Sequence, residues 1–383
     1  MEFHTLLFLF RWLPVVLLLY LLYFRTHARE AFLLVVSLLF YAWGEPRWIL
    51  LLLASILVTW LLGRAMRPEA SAGRRRGLLI LGLVFQLGLL VAVKYAGFFF
   101  GAFIDLPKLH LPLGVSFYTF HAISYLVDVY RQKTPPQKNL LRLGLYLALF
   151  PKLVMGPIVP YHELEPALAQ RTIDAQDVSD GCFRFTIGLA KKALLADALA
   201  GLVTGIWGDL ASLTVLSAWL GLIGYALQLY FDFSGYSDMA IGLGRMLGFR
   251  FPENFRYPYL CSSISDFWRR WHISLGSWFK EYLYFPLGGS RTGTLRTLRN
   301  LLFVWLATGL WHGASWNYVL RGLHFGALIC LEKLLAPRFR AHPRKGLLAG
   351  LYRPVCLLLA VLGWVLFRAE DLPAAGRYFA CLF

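Results

Sequence analysis

Charge is what this sequence has least of. Only 15% of its 383 residues are Asp, Glu, Lys or Arg, where a soluble chain carries about a quarter, so an ordinary water-soluble globule is excluded. The shortage falls hardest on acids, 21 Asp and Glu against 38 Lys and Arg. Cysteine is sparse too. Cys182, Cys261, Cys330, Cys356 and Cys381 lie without C-x-x-C spacing, which argues for small apolar packing residues and against a disulfide framework or a zinc site. No H-E-x-x-H and no G-x-S-x-G elbow occurs. Linkers, low-complexity tracts and internal repeats are also missing, so a single membrane domain over 1–383 is expected.

What fills the chain is apolar. Hydrophobic residues make up 58% and the mean hydropathy is +0.59. Uncharged runs such as Gly77–Val93 and Ala211–Phe231 approach or exceed the ~18–20 residues that cross a bilayer. The reading is an all-α polytopic membrane protein of about 9 to 11 spans with re-entrant or interfacial helices. Spans are expected at 5–24, 31–43 with 47–63, 77–100, 111–130, 139–158, 182–206, 211–231, 300–319, 322–336 and 347–367. The first has no basic n-region and no small-residue cleavage site, so it reads as a retained span. "AWGEPRW" at 42–48 separates two short runs that suit tilted or re-entrant packing.

The net charge of +17 reads as basic loops between spans, with the lipid bilayer as partner and no nucleic acid. Cations gather at Arg25 and Arg29, Arg64–Arg76, Arg131–Lys138, Arg291–Arg299 and Arg338–Lys345. The positive-inside rule makes these cytoplasmic, and the acidic stretch His162–Asp180 is expected to face outward.

Residues 232–299 look too polar to span and too aromatic for a solvated loop. Over 264–285 a helix is expected, with Phe267, Trp271, Trp278, Tyr282 and Phe285 on one face and Arg269, His272, Gly276 and Lys280 on the other, ended by Pro286. Such a helix either lies in the headgroup interface or dips into the protein.

The stretch "GLWHGASWNY" (309–318) puts a histidine in an apolar run. In a helix starting near Leu301, His312 lies about 11 residues on, roughly 17 Å deep in a ~30 Å hydrocarbon layer. Gly313, Ala314, Ser315 and Asn317 then soften the helix, and irregular backbone at that depth belongs in protein or beside a water-filled cavity. Arg321 would also be costly in lipid. An interhelical hydrogen bond is one use for the histidine. A general base for a hydroxyl, suited by a near-neutral pKa, is the other. His272 and His312 are two ligands where a metal needs three or four, so no metal is expected.

Three stretches carry a resemblance: "YFDFSGYSDMAIGLGRMLGFRFPENFRYPY" (230–259), "SDFWRRWHISLGSWFKEYLYFPLGGSR" (265–291) and "GLWHGASWNY". Together they resemble the membrane-bound O-acyltransferases, in the bacterial branch of the alginate O-acetylation membrane subunit and the teichoic-acid D-alanylation membrane protein. "FLFRWLPVVLLLYLLY" (8–23), "YAWGEPRW" (41–48), "LPLGVSFYTFHAISYLVDVYR" (111–131), "FPKLVMGPIVPY" (150–161) and "GLAKKALLADALA" (188–200) extend it over nearly the whole chain. The resemblance implies a funnel of spans and re-entrant helices in a bacterial inner membrane, with 232–320 as catalytic core. It implies that His312 is essential and His272 its companion. It implies no tightly bound cofactor, a cytoplasmic acyl thioester such as acetyl-coenzyme A as donor, a periplasmic or extracellular acetyltransferase partner, and O-acetylation of an exported polysaccharide. Two departures stand out. The family continues W-G-x-x-H-G where this chain reads "RGLHFG" (321–326), so Arg321 replaces an aromatic and His324 comes one place early. Alginate-type members also run on beyond the point matching Phe383, so one or two terminal spans are expected to be absent or shortened.

In that reading His312 is the base, and His272, with Asn317 or Arg269 as donors, orients the acceptor or steadies the oxyanion. Trp268 and Trp271 would wall the cavity against water. Arg291, Arg296 and Arg299 would either bind donor phosphates or serve topology alone. A transporter of a polysaccharide precursor, or a scaffold of a secretion complex, remains the alternative.

Overall fold

A backbone in hydrocarbon has no water to bond, so an apolar chain must close its hydrogen bonds within helices. The computed structural model describes residues 2–26, 28–101, 112–291, 293–341 and 347–383, with the side chains of 336–349 undescribed. Among the described residues there is no strand, only an isolated bridge between Phe255 and Trp271. The principal helices are α1 (Leu13–Tyr23), α2 (Arg29–Gly44), α3 (Ile49–Ala65), α4 (Ala72–Leu90), α5 (Val115–Tyr130), α6 (Leu140–Ala148), α7 (Tyr161–Ala169), α8 (Ala175–Ala190), α9 (Asp197–Gly208), α10 (Val215–Met246), α11 (Ile264–Arg270), α12 (Ile273–Phe279), α13 (Thr294–His312), α14 (Trp316–Ala341), α15 (Leu347–Leu362) and α16 (Leu372–Leu382). Among the described residues three helical stretches can cross a membrane by length and composition: Ala72–Phe100, Val215–Met246 and Gly350–Arg368. Phe8–Tyr23 and Ile49–Ala65 are shorter apolar helices. The basic run Arg338–Lys345 lies outside the residues whose side chains are described.

Contacts gather the chain into two units, Met1–Ala190 with Gly235–Pro252, and Lys191–Ser234 with Glu253–Phe383. In the first, three sequence expectations are corrected. Residues 139–158 do not make one span. Helix α6 stops at Leu149, one turn follows at Phe150–Leu153, and the chain runs back non-helically to Pro160. Pro151, Gly156 and Pro157 cannot carry an uninterrupted helix. The returning strand of chain is tied to α6 where the Tyr146 hydroxyl donates to the Val159 carbonyl at 3.0 Å. Entry and exit meet where the Gln137 amide donates to the Tyr161 hydroxyl at 2.9 Å.

Residues 232–246 are not a polar excursion. They complete the 32-residue helix α10, with Ser234, Ser237 and Asp238 buried. Asp238 is neutralised by Arg184 of α8 at 2.7 Å. Glycines let these helices touch: a Cβ on Gly188 would meet the backbone of Gly235 and Met239, the small-residue packing favoured inside membranes.

The acidic stretch His162–Asp180 does not face away from the basic loops. Arg29 donates to the Arg171 carbonyl at 3.4 Å, His162 meets Asp128 at 2.9 Å, and Asp177 and Asp180 take Arg245 at 3.3 and 2.6 Å. Arg75 reaches the Tyr130 carbonyl at 2.6 Å. The acidic stretch therefore shares a face with the basic loops of its own unit, at 25–29, 64–76 and 131–138. The rule that separated them counts Lys and Arg and gives Asp and Glu little weight.

In the second unit the expected single helix over 264–285 is broken. α11 ends at Arg270, Trp271 and His272 are non-helical, and α12 runs on through a wide turn at Lys280–Tyr284. Phe267, Trp271, Trp278 and Tyr282 are buried as the pattern required, while Phe285 is exposed. The break turns His272 inward with the aromatics and away from Arg269.

Candidate active site

The break is made by pairing. Arg256 donates its N–H to the Arg270 carbonyl at 2.9 Å and Ile273 to the Asn254 carbonyl at 3.0 Å, so residues 254–256 hold 270–273 out of the helix. His272 takes the left-handed conformation, φ 48°, which is uncommon for a residue with a Cβ and clusters at functional sites.

Its tautomer follows from its neighbours. The backbone N–H of Ser274 points at Asn254 Oδ1 at 3.2 Å, and the Ser274 hydroxyl at 3.0 Å. An N–H can only donate, so that Asn254 atom is oxygen, and the His272 Nδ1 lying 3.1 Å from it must carry the proton. Nε2 is then the lone-pair nitrogen. It is buried and has no hydrogen-bond partner among the described residues. Burial, with the Arg321 charge adding to it, pushes the pKa of this imidazole down to about 3. His272 is a neutral acceptor.

His312 is the last residue of α13, and Gly313 after it is extended, the softening read from the sequence. Helices α13 and α14 approach closely there. A Cβ on Gly322 would strike the Trp305 carbonyl, and one on Gly309 the Tyr318 carbonyl. The Trp311 ring centroid lies 6.0 Å from that of His272 and 4.9 Å from that of His312. Phe233 meets the His272 ring edge-on at 4.7 Å and Phe367 the His312 ring at 5.4 Å.

A cavity of about 390 Å³ opens beside His272, lined also by Trp268, Arg269, Lys280, Trp305 and Thr308. A larger one, about 1030 Å³, shares Ser265, Arg269, Tyr284, Leu301 and Ile329 with it and reaches Glu332, Tyr352 and Leu359. Glu332 builds this junction. Its carboxylate caps α11 by accepting the N–H groups of Ile264 and Ser265 at 2.7 and 2.8 Å, and it takes the Tyr352 hydroxyl at 2.6 Å.

The other candidates fall as follows. Trp268 walls the smaller cavity, whereas Trp271 is packed among Phe255, Phe267 and Trp364. Arg269 lines both cavities and pairs with Asp266 at 3.3 Å, exposed. Asn317 is buried, and its amide donates to the Ala369 carbonyl at 2.9 Å. Arg291, Arg296 and Arg299 are exposed and line neither cavity; Arg299 folds back on Asn300 at 2.9 Å. His324 donates to the Leu359 carbonyl at 3.1 Å, tying α14 to α15. Sequence reasoning missed Asn254, Phe233 and Glu332, because each meets its partner across at least 18 residues of chain with no local pattern.

The family model of the membrane-bound O-acyltransferases matches residues 136–352. The chain is 42% identical to the probable alginate O-acetylase AlgI of Pseudomonas aeruginosa, over 100% of this chain and 75% of that protein. It is 35% identical to the peptidoglycan O-acetyltransferase of Helicobacter pylori, over 97% and 78%. Against the teichoic acid D-alanyltransferase of Bacillus subtilis it is 28% identical, over 59% and 62%. With an apolar helical body and a match of this extent, the chain belongs to the membrane-bound O-acyltransferase family and is an O-acyltransferase.

Proposed function

We propose that this protein passes an acetyl group from a cytoplasmic thioester, acetyl-coenzyme A or a like donor, to the far side of a bacterial inner membrane, for O-acetylation of an exported, alginate-like polysaccharide. The observation that carries the reading is the pair of histidines whose ring centres lie 6.0 and 4.9 Å from that of Trp311, one a neutral acceptor beside a cavity. The names of the relatives supply the acyl group and the polymer class. The family resemblance adds a periplasmic acetyltransferase partner that places the group on the polymer.

In this mechanism His312 takes the proton of the acceptor hydroxyl as its oxygen attacks the thioester carbonyl. The new C–O bond forms, the tetrahedral intermediate collapses, and the C–S bond breaks. The thiolate leaves and takes up the proton held by His312. His272 Nε2 accepts a hydrogen bond from a neighbouring hydroxyl of the acceptor and so orients the reacting one. The pantetheine arm enters by the 390 Å³ cavity, a volume suited to a small-molecule arm. Arg269 and Lys280 at its wall meet the donor phosphates, with Arg291 and Arg299 further out.

A strain lacking the gene, complemented with wild type or with His312→Ala, tests this. O-acetyl content of the exported polymer, read by NMR, is expected to return with wild type and stay absent with the variant at equal membrane abundance. Normal acetylation by His312→Ala would remove the base from the mechanism. Export that fails altogether would favour the transporter.

A further inference from the structure

Among the described residues, Arg321 is a buried cation without a counter-ion. It is 3% exposed, its Nε has no hydrogen-bond partner, and no carboxylate pairs with it among the described residues. What surrounds it is aromatic: the guanidinium carbon lies 4.5 Å from the Phe367 ring centre, 5.0 Å from Trp364, 5.7 Å from Phe325 and 5.8 Å from Trp268. A guanidinium stays charged in proteins, and taking it out of water with ring faces in place of a carboxylate is costly. The backbone fixes it there, because Gly322 is pressed against the Trp305 carbonyl. The motif this segment resembles has an aromatic residue at that position, so the charge is an addition to an already apolar box.

The box is also the back wall of the site. Phe367, the ring nearest Arg321, is the ring that meets His312 edge-on. Trp268, another of its walls, lines the cavity beside His272. The guanidinium is thus one ring removed from each histidine's surroundings. In a low-dielectric interior an uncompensated charge at that range acts strongly on any charge that forms.

We propose that Arg321 is an electrostatic positioning residue, whose field from behind the aromatic wall stabilises the negative charge that builds on the acyl carbonyl oxygen and the departing thiolate. This rests on the acyl-transfer reading given above. Preorganised charge aimed at a developing oxyanion is the largest catalytic contribution in many enzymes. The same field disfavours protonation of His272, consistent with its lowered pKa.

The test uses the full-length purified protein with acetyl-coenzyme A as donor, in three variants. Arg321→Met keeps the length and removes the charge. Its turnover per folded molecule is expected to fall about 10- to 100-fold with donor KM within about twofold, while its melting temperature in detergent holds or rises, because a buried uncompensated charge has gone. Arg321→Lys restores the charge and is expected to recover a large part of the turnover. Full turnover in Arg321→Met, a loss matched by loss of folded protein, or a raised donor KM with turnover kept would each overturn the proposal. His312→Ala separates the two claims. If it is inactive while Arg321→Met is fully active, only the role of Arg321 fails; if it is active, the acyl-transfer reading fails first.

Discussion

Asn254 holds the tautomer of His272, so exchanging its amide for a carboxylate changes one quantity cleanly. Asn254→Asp keeps the shape and keeps an acceptor 3.1 Å from Nδ1. It adds a negative charge that the Ser274 N–H and hydroxyl, at 3.2 and 3.0 Å, help to keep ionised. A unit charge about 4 Å from the imidazole, at an effective dielectric of about 20, is worth about 4 kcal/mol, or about three pKa units. An anion favours the imidazolium, so the pKa moves up, from about 3 in the wild type toward about 6. Once protonated, Nε2 becomes a donor and can no longer accept from the acceptor's neighbouring hydroxyl. The variant is therefore expected to work at near wild-type rate around pH 8 and to lose activity as pH falls through about 6, with its acid limb at higher pH than the wild type's. Asn254→Ala instead leaves a buried N–H unpaired, at about 1–3 kcal/mol, frees the ring, and should slow transfer at every pH. The assay is the pH profile of acyl transfer by purified protein, beside the NMR titration of the histidine ring protons. An Asn254→Asp profile that overlays the wild type's would refute the role given to His272.

Two further expectations concern the frame of the site. Arg184 and Asp238 form a part-buried pair at 2.7 Å, so Arg184→Met alone should cost about 2–3 kcal/mol in a detergent melt, the lower end because Arg184 is a third exposed. Adding Asp238→Leu should return most of that loss, and additive losses would show the pair does not act as one. Cysteines placed at Thr26, Lys133 and Thr172 in a background without native cysteine should all react with an impermeant maleimide from the same side of sealed vesicles. Labelling of Thr172→Cys from the opposite side would contradict the shared face.

The helical class, the break at 42–48 and the end of α13 at His312 were legible in the sequence. Each is a local property of composition, hydropathy or motif. The break at His272 was not, because it is imposed by backbone bonds from residues 254–256, and a helical wheel sees only its own segment. The polar run 232–246 misled for a related reason. Its Asp238 is paired with Arg184, and its Ser234 and Ser237 are buried in the packing; hydropathy scores a side chain without its partner. The face of the acidic stretch was lost because charge counting assumed like loops lie together, whereas here unlike charges pair. Arg321 stood out in the sequence as an expensive residue, but the four rings around it come from α11, α14 and the segment after α15.

The most direct measurement is transfer of labelled acetyl from acetyl-coenzyme A by the purified protein in proteoliposomes, with donor on one side and a hydroxyl acceptor on the other. Wild type is expected to deliver label across the bilayer. His312→Ala should lose about 10²–10⁴-fold while remaining monodisperse, and His272→Ala should lose a substantial part of that. Label appearing on the acceptor at wild-type rate in the His312 variant would contradict acyl transfer at this pair of histidines.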